Sequence, residues 1–505
     1  SPADDPYGGG SKLEYKSLIG SRGSKANEKV ISDLRIEDLI NDILGKDKDQ
    51  FLIDIFKEPL TDRSIIEFRL EMFSDIMDQK VYNAIAYFLN AIKDCNKLLN
   101  LEASVYEELK YGFHIDAALM YINALESSLK LMDGLVLKSE GMLYFVNYLK
   151  NLIQSDRFQA LKSAAYEAKA ARDKIKIRIR INGLEVRVTK DENGEDLSSK
   201  IEELFSRFKG QQVQKLEPVN YHYSEQITHI HAAILKGVYR IFNKEFNAMK
   251  MLKDRFPDIV DEGIKTFAKE FEFYLRYIEY MRGIEANGYR FSIPRFTDDG
   301  SVYVRGFYNL LLAKKKVAVI NDIRTSGDKK IFIITGVNGG GKTTFAISFG
   351  QLAFLSSIGV PVPAEEARIP LFSNIMTAFP TEENALEGLS RLEEDVARAR
   401  DILNAADNKT LVLVNELFST TTSEEGFELA KRFIDKIKSK GSYLIYVTFI
   451  TKLATLEGVI SLVAQVQDGK VTYRIIESSP DSRYMAVLIA SKYHLLYEDI
   501  REVLK

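Results

Sequence analysis

Apolar residues recur three and four positions apart through most of residues 27–170, where glycine and proline are almost absent. This spacing places apolar side chains on one face of a helix, so it predicts an array of long helices. From about residue 290 to the end, short apolar runs alternate with helical stretches, which predicts a largely parallel α/β domain. The predicted fold class is therefore a multidomain α plus α/β protein.

A short segment at residues 174–190, "KIKIRIRINGLEVRVTK", interrupts the helical pattern with strict alternation. Alternation predicts β-strands, and Asn182-Gly183 predicts a two-residue hairpin turn. Two interpretations stay open, because a cationic strand face can contact nucleic-acid phosphates or can protect an edge strand from pairing. The cationic residues that we expect on one face of the first strand are Lys174, Lys176, Arg178 and Arg180.

The length of 505 residues predicts more than one domain. We expect a linker or disordered segment at residues 1–26, a helical domain with the β-hairpin insertion at residues 27–288, and an α/β domain at residues 289–505. Cys95 is the only cysteine, which excludes an internal disulfide and favours a reducing, cytoplasmic location. The net charge of -3 neither requires nor excludes a nucleic-acid partner. The uncharged run at residues 343–364 predicts a buried helix and no membrane span, because polar residues and prolines interrupt it.

The segment "IFIITGVNGGGKTTFAIS" at residues 331–348 carries a phosphate-binding pattern. Its apolar start predicts a buried strand, and residues 336–343 fit G-x-x-x-x-G-K-[ST]. Glycines allow backbone N–H groups to surround an anion, and the lysine and threonine supply a charge for phosphate and a hydroxyl for Mg²⁺. The candidate nucleotide-binding residues here are Gly336, Asn338, Gly339, Gly340, Gly341, Lys342, Thr343 and Thr344.

A second strand, "KTLVLVNELFSTTT" at residues 409–422, ends in Asn415-Glu416. In ATPases with this phosphate-binding loop, an Asp usually precedes the Glu and holds the hydrated Mg²⁺ ion. Asn415 offers an uncharged oxygen, so we expect Mg²⁺ to be held less tightly. Glu416 is the candidate base that polarises the attacking water.

These motifs together resemble the MutS family of DNA mismatch-repair ATPases. "TGVNGGGKTT" at residues 335–344 is similar to the family's T-G-P-N-M-G-G-K-[ST]-T. "LVLVNELFSTTTSEEGFELA" at residues 411–430 aligns with its L-V-L-x-D-E segment, and "EGLSRLEEDVARARDIL" at residues 387–403 occupies the place of its S-T-F-x-x-E signature helix. "EPLTDRSIIEFRLEMFSDIMD" at residues 58–78 resembles the start of its lever helices, P-L-x-D-x-x-x-I-x-x-R.

The resemblance implies an ABC-type P-loop ATPase domain that pairs with a second copy, helped by carboxyl-terminal helices at residues 482–504. It implies that Ser390 contacts the γ-phosphate of ATP in the partner's site, and that the hairpin touches double-stranded DNA backbone as part of a clamp. ATP and Mg²⁺ are the implied cofactors, and no membrane partner is implied. Whether a MutL-like protein or a nuclease is recruited stays open.

The chain also departs from the family pattern. Asn415 replaces an Asp, Phe418 and Thr420 replace glycines, and Phe449 stands at the family's switch histidine. Ala318 and Val319 occupy the place of the aromatic residue that stacks on the base. No F-x-E wedge motif stands in a suitable place, so we expect the mismatch-reading domain to be missing.

Two functions follow from these patterns. The first is a dimeric, ATP-dependent DNA clamp that hydrolyses ATP slowly and acts in DNA repair or recombination control. The alternative is an ATP-binding scaffold with little or no hydrolysis that does not recognise mismatches. Asn415 and Phe449 favour the alternative, since both remove groups on which turnover depends in the family.

Overall fold

The computed structural model describes residues 13–46, 49–105, 107–182, 185–191, 234–380 and 388–480. The chain divides into two compact units. The first comprises Ser1–Lys16, Asn83–Val136 and Tyr144–Ala268, and the second comprises Ser17–Tyr82, Leu137–Leu143 and Lys269–Lys505. The domain boundaries expected from the sequence stay a prediction.

Helices fill the chain up to residue 173, as the apolar spacing predicts. Their ends carry side-chain caps: Asp62 accepts the backbone N–H of Ser64, and Ser155 accepts that of Phe158. The helices are α1 (Glu28–Asp33), α2 (Ile36–Leu44), α3 (Gln50–Lys57), α4 (Arg63–Ile76), α5 (Gln79–Ser104), α6 (Glu107–Met132), α7 (Glu140–Gln154) and α8 (Asp156–Asp173). Beyond the hairpin, the described residues include α9 (Asn243–Arg255) and α10 (Glu262–Glu285), and residues 234–241 are also helical.

The predicted hairpin is present in the first unit. Strands β1 (Ile177–Asn182) and β2 (Glu185–Lys190) pair antiparallel, with Asn182 opposite Glu185. This register leaves two connecting residues, 183 and 184, so the connection has the predicted length but lies one residue later than the predicted Asn182-Gly183 turn, because Asn182 itself pairs within the strand. The prediction that Lys174 lies on the face of the strand is wrong, however, because Lys174 caps helix α8. Its backbone N–H donates to the carbonyls of the last helical turn, so the alternating pattern in the sequence begins before the strand does.

Two sheets build the α/β part of the second unit. A six-stranded sheet has the order β12-β11-β6-β10-β9-β8, in which only the edge strand β12 is antiparallel to its neighbour. A four-stranded sheet has the order β3-β7-β4-β5. The strands are β3 (Arg295–Phe296), β4 (Tyr303–Phe307), β5 (Asn321–Arg324), β6 (Ile331–Thr335), β7 (Glu366–Ile369), β8 (Asn374–Ala378), β9 (Thr410–Asn415), β10 (Tyr443–Val447), β11 (Val459–Gln467) and β12 (Lys470–Glu477).

In the described part of this region the strands are accompanied by the α-helices α11 (Leu310–Lys314), α12 (Lys342–Ile358), α13 (Gly388–Ala405) and α14 (Ser423–Ser439). Helix α12 directly follows the glycine-rich loop and is buried without a break from Ser348 to Ile358. The uncharged run in the sequence is therefore a buried helix, as predicted. Across the described ranges, none of the helices combines the length and the apolar character needed to cross a membrane.

A buried arginine fixes the far end of helix α12. Arg69 on α4 is 1% exposed, and its guanidinium donates to the carbonyl of Ile358 at 2.7 Å. It also donates to the carbonyls of Ile19 at 2.8 Å and Ser21 at 3.0 Å. Carbonyls at the end of a helix lack partners within the helix, so this guanidinium satisfies groups that would otherwise be buried alone. Arg69 is the arginine of the lever-like pattern at residues 58–78.

Candidate functional site

The glycine-rich loop joins the buried strand β6 to helix α12. Gly336, Gly339 and Gly341 have φ values of 121°, 72° and 88°, which side chains other than glycine rarely adopt. A Cβ atom at Gly336 would also lie 2.9 Å from the Cβ atom of Ala464. The loop therefore requires glycine both for its backbone conformation and for its close approach to strand β11.

Lys342 is the first residue of helix α12 and turns back over the loop. Its Nζ atom donates to the carbonyls of Gly336 at 2.9 Å and Val337 at 3.0 Å. The same atom lies 4.9 Å from the centre of the Phe449 ring. Burial lowers the pKa of Lys342, and the nearby Glu416 carboxylate opposes this shift. The Lys342 ammonium group is thus held inside the loop by hydrogen bonds to neutral carbonyl oxygens.

The two residues predicted to bind Mg²⁺ lie side by side. The Thr343 hydroxyl donates to the Asn415 side-chain oxygen at 3.2 Å. Thr343 follows the loop, and Asn415 is the last residue of strand β9, so both lie at the carboxyl ends of parallel strands. The ligands that this pair offers are a hydroxyl and a neutral amide oxygen, which suit a hard cation but add no negative charge.

Glu416 follows Asn415 in a strained conformation. Its φ is 56°, in the left-handed region, and its backbone N–H donates to the carbonyl of Val447 at 2.9 Å. Burial raises the pKa of Glu416 to about 7, although Lys342 and the backbone N–H of Phe449 both act to lower it. A carboxyl group that titrates near neutral pH can accept a proton during a reaction.

The segment after Glu416 is held by two contacts that the sequence analysis missed. The Tyr446 hydroxyl donates to the carbonyl of Leu417 at 2.7 Å, and the Asp395 carboxylate accepts the backbone N–H of Phe418 at 3.0 Å. Phe418 also has a left-handed φ, 63°. A signal for Asp395 was present, because it stands five residues after Ser390, where the signature pattern has Glu.

A cavity of about 550 Å³ brings most of the predicted residues together. Gly336 is not among its lining residues. Ser390 is the third residue of helix α13, and its side chain lies outside the part of the structure that can be described. The predicted residues that line the cavity are Asn338, Gly339, Gly340, Gly341, Lys342, Thr343, Thr344, Asn415 and Glu416.

The remaining lining residues of the same cavity are mostly apolar or aromatic. Strand β4 and the segment leading to β5 provide the wall opposite the loop, and strand β12 provides one residue, Tyr473. These other lining residues are Phe307, Tyr308, Asn309, Leu312, Val317, Val319, Asn321, Phe345, Ser348, Phe449 and Tyr473.

The predicted DNA-binding residues lie in the first unit. All four are exposed. Arg178 forms an ion pair with Asp191 at 2.8 Å, so part of its charge is already compensated. Lys176 accepts a backbone hydrogen bond from Asp191 and directly precedes strand β1. The cationic face on the strand itself therefore consists of Arg178 and Arg180, with Lys176 at its start and Lys174 on the helix end.

Comparison with known proteins matches the part of the chain that carries this site to a protein family. Residues 332–485 match the family model described as MutS domain V, and this range contains most of the cavity. The chain belongs to the MutS family.

Curated relatives of this MutS-family chain carry two names. One named Endonuclease MutS2, from Ligilactobacillus salivarius, is 35% identical over 161 residues, which are 32% of this chain and 20% of the relative. One named DNA mismatch repair protein MutS, from Thermotoga maritima, is 27% identical over 227 residues, covering 42% of this chain and 29% of the relative. An Endonuclease MutS2 from Caldicellulosiruptor bescii is 27% identical over 275 residues, covering 49% and 34%. The matches thus span between a fifth and about a third of the relatives' own lengths.

Proposed function

We propose that this chain binds ATP and Mg²⁺ between its glycine-rich loop and the end of strand β9, hydrolyses ATP slowly, and controls a dimeric DNA clamp. The clamp would act in DNA repair or in the control of recombination. The observation that carries this proposal is the convergence of Lys342, Thr343, Asn415 and Glu416 on one cavity. Membership of the MutS family supports the same conclusion.

The residues of the cavity fit a nucleotide with its metal ion. Lys342 now donates to neutral carbonyls, and a charged phosphate oxygen is a stronger acceptor than these. Bound Mg²⁺ would neutralise charge on the phosphates, and Thr343 and Asn415 would hold it. Since Asn415 is uncharged, the ion would be held less tightly than by the carboxylate that is usual in this position.

Glu416 would accept the proton of the attacking water. Only the ionised carboxylate can do this, and a pKa of about 7 leaves roughly half of the molecules in that form at neutral pH. Phe449 stands where the family has a histidine, and its ring covers Lys342 with a group that neither donates nor accepts protons. Both features favour slow turnover.

Dimerisation and DNA binding complete the proposal. Ser390, near the start of helix α13, would contact the partner's γ-phosphate, so that bound ATP would favour pairing. The hairpin residues Lys176, Arg178 and Arg180, together with Lys174, would contact backbone phosphates of double-stranded DNA. Recruitment of a MutL-like protein or a nuclease by the clamp stays an open part of the proposal. The carboxyl-terminal helices that would strengthen the dimer, at residues 482–504, lie outside the described residues.

The alternative function is an ATP-binding scaffold with little hydrolysis that does not read mismatches. The neutral Asn415 beside Thr343 favours it, since weak Mg²⁺ binding limits turnover without preventing nucleotide binding.

The proposal is tested by measuring ATP binding and single-turnover hydrolysis of the full chain, with and without duplex DNA. We expect Mg²⁺-dependent ATP binding, slow hydrolysis that DNA alters, and loss of ATP binding in Lys342→Ala. ATP binding without hydrolysis would favour the scaffold function over the clamp. ATP binding that survives Lys342→Ala would show that the nucleotide site is assigned wrongly. Sedimentation of Glu416→Gln should show more dimer with ATP than without, whereas a monomer under both conditions would remove the paired model.

A further inference from the structure

The backbone carbonyl of Phe379 receives two cationic side chains at the point where the chain leaves the six-stranded sheet. Phe379 directly follows strand β8 and is 6% exposed. Its carbonyl accepts hydrogen bonds from Nη1 of Arg398 on helix α13 at 2.8 Å and from Nζ of Lys29 on helix α1 at 3.0 Å. A carbonyl oxygen has two lone pairs, so it can accept from both donors at once. Helices α1 and α13 are thus joined through one backbone group.

Each of these two cations is also held by a carboxylate on its own helix. Nη2 of Arg398 donates to Oε1 of Glu394 at 3.0 Å, and Nζ of Lys29 donates to Oδ1 of Asp33 at 2.7 Å. Both pairs are four residues apart, which makes the side chains neighbours on the helix surface. The carboxylates therefore orient the guanidinium and the ammonium group toward the Phe379 carbonyl.

The contact lies at the edge of the sheet that carries the nucleotide site. Ala378, the last residue of β8, pairs with Val414, which directly precedes Asn415. Asp395, in the same turn of α13 as Arg398, accepts a backbone N–H from the segment after β9 at 3.0 Å. One turn of α13 is therefore fixed by hydrogen bonds to the ends of two neighbouring parallel strands.

Ser390 belongs to this same helix. It stands eight residues before Arg398, which is about 12 Å along a helix that rises 1.5 Å per residue. Ala399 and Ile402 of α13 pack in the core with exposures of 6% and 3%. Apolar packing is non-directional, whereas the hydrogen bonds of Arg398 and Asp395 fix the rotation and the advance of the helix. The place of Ser390 relative to the sheet therefore depends on this turn.

We propose that Arg398 is a positioning residue, which through the Phe379 carbonyl sets the place from which Ser390 reaches the partner's nucleotide site. The inference rests on the proposed function, in which Ser390 contacts the γ-phosphate bound by the partner. It deepens that proposal by naming the contact on which ATP-dependent pairing relies. Arg398 does not line the cavity of its own chain, so we expect it to act on pairing and to leave ATP binding by a single chain unchanged.

The test measures pairing and ATP binding separately, in the full chain carrying Glu416→Gln so that bound ATP persists. Sedimentation with ATP and Mg²⁺ should show that Arg398→Met raises the dissociation constant of the dimer about tenfold or more. Ser390→Ala should weaken the dimer at least as strongly. ATP affinity, measured at a concentration at which the chain is monomeric, should stay within about twofold in both variants. Arg398→Lys retains a donor for Phe379 and should recover most of the pairing.

Two further variants separate the Phe379 contact from the ion pair and from folding. Glu394→Gln breaks the ion pair but leaves Arg398 bonded to the carbonyl, so the dimer should weaken no more than about twofold. Lys29→Met removes the second donor to the same carbonyl and should weaken the dimer by a smaller factor than Arg398→Met, because Arg398 still holds Phe379.

Four results would overturn the inference. If Arg398→Met and Lys29→Met both keep the pairing that Ser390→Ala loses, it is wrong while the proposed function stands. It is also wrong if Glu394→Gln weakens the dimer as much as Arg398→Met, since the ion pair would then be responsible. A parallel loss of monomer ATP affinity in Arg398→Met would show a general effect on the fold. If ATP promotes no dimer, or a dimer that Ser390→Ala leaves intact, the proposed paired site and the inference fail together.

Discussion

The carboxylate of Asp395 accepts the backbone N–H of Phe418 at 3.0 Å, which joins helix α13 to the segment that carries Glu416. Glu416 and Phe418 both have left-handed backbone conformations, two residues apart. The Phe418 ring is 3% exposed and packs in the core between the sheet and helices α13 and α14. Asp395 is therefore a positioning residue, because its effect on Glu416 passes through the backbone of residues 416–418.

Replacing Asp395 with Ala should slow ATP hydrolysis without weakening ATP binding. Without its acceptor, the N–H of Phe418 no longer fixes the segment, and a small displacement of Glu416 lowers the single-turnover rate by roughly 10- to 100-fold. Asp395→Asn retains a side-chain oxygen and should recover part of the rate. Glu393→Ala, an exposed change on the same helix, serves as the control. Equal losses of affinity and rate in Asp395→Ala would indicate general damage to the fold and contradict a positioning role.

The parts of the site that are contiguous in the sequence could be predicted from it. The glycine-rich loop from Gly336 to Gly341 is recognisable because its function requires fixed spacing along one stretch of chain. Asn415 and Glu416 could be placed opposite the loop because the carboxyl ends of parallel strands meet at one edge of a sheet. The buried helix α12 followed from an uncharged run that polar residues interrupt.

Contacts that depend on register or on distant side chains could not be predicted in this way. The position of Tyr473 depends on two extra residues in one strand of a hairpin, and no sequence period marks such a change. The alternating pattern at residues 174–190 placed Lys174 on a strand, although the last turn of helix α8 extends far enough to be capped by it. Local periodicity does not reveal where a neighbouring helix ends.

The raised pKa of Glu416 predicts the pH dependence of hydrolysis. Below a pKa of about 7 the carboxyl group is mostly protonated and cannot accept a proton, so the single-turnover rate should rise with pH through about 7 and then level off. Glu416→Gln should abolish hydrolysis at every pH. A rate that is flat from pH 5.5 to 8.5 would mean that another group, or none, acts as the base.

The raised pKa of Glu416 also makes the stability of the folded protein depend on pH, even without a bound nucleotide. Because the folded-state pKa lies above the ordinary value of 4.5, the folded protein binds the proton more tightly than the unfolded chain does. This contribution to stability is present below about pH 4.5 and is lost as the pH rises through about 7. Thermal melts should therefore show Glu416→Gln gaining stability relative to the native protein between pH 5 and pH 8.

Restoring a carboxylate at position 415 should tighten Mg²⁺ binding. Asn415→Asp keeps the shape of the side chain and its acceptor for the Thr343 hydroxyl, while it adds one negative charge beside the metal site. We expect the Mg²⁺ concentration for half-maximal hydrolysis to fall about tenfold, and the maximal rate to rise. Asn408→Asp, an exposed change just before the amino end of strand β9 and therefore at the opposite end of the strand from Asn415, provides the charge-matched control. An unchanged Mg²⁺ dependence would remove Asn415 from the metal site.

Loss of the Arg69 guanidinium should destabilise the second unit. Arg69→Met leaves the buried carbonyls of Ile358 and Ile19 without their donor, which should lower the free energy of unfolding by about 3 kcal/mol. Arg63→Met on the same helix removes exposed ion pairs with Glu67 and Asp298 and should cost at most about 1 kcal/mol. Chemical denaturation measures the free energy of unfolding of both variants. Equal decreases would show that burial of the Arg69 hydrogen bonds adds nothing to stability.

The hairpin prediction concerns the salt dependence of DNA binding. Each phosphate that a protein neutralises contributes about -0.9 to the slope of log affinity against log salt concentration. Replacing the four cations at and just before the hairpin with Gln should therefore flatten the slope and weaken binding equally on matched and mismatched duplexes, since backbone contacts carry no sequence information. The residues to replace together are Lys174, Lys176, Arg178 and Arg180.

A second variant with the same change in net charge distinguishes a local contact from a general electrostatic effect. It replaces four exposed lysines outside the hairpin, Lys80, Lys97, Lys130 and Lys250, with Gln. This control should retain most of the native slope, and ATP binding should survive in both variants because none of the replaced residues lines the cavity. Arg178 already pairs with Asp191, so its share of the slope should be smaller than that of Arg180. If the slope of log affinity against log salt concentration falls equally in the hairpin variant and the control, the cationic face only protects the edge strand from pairing. The DNA proposal then rests on family membership alone.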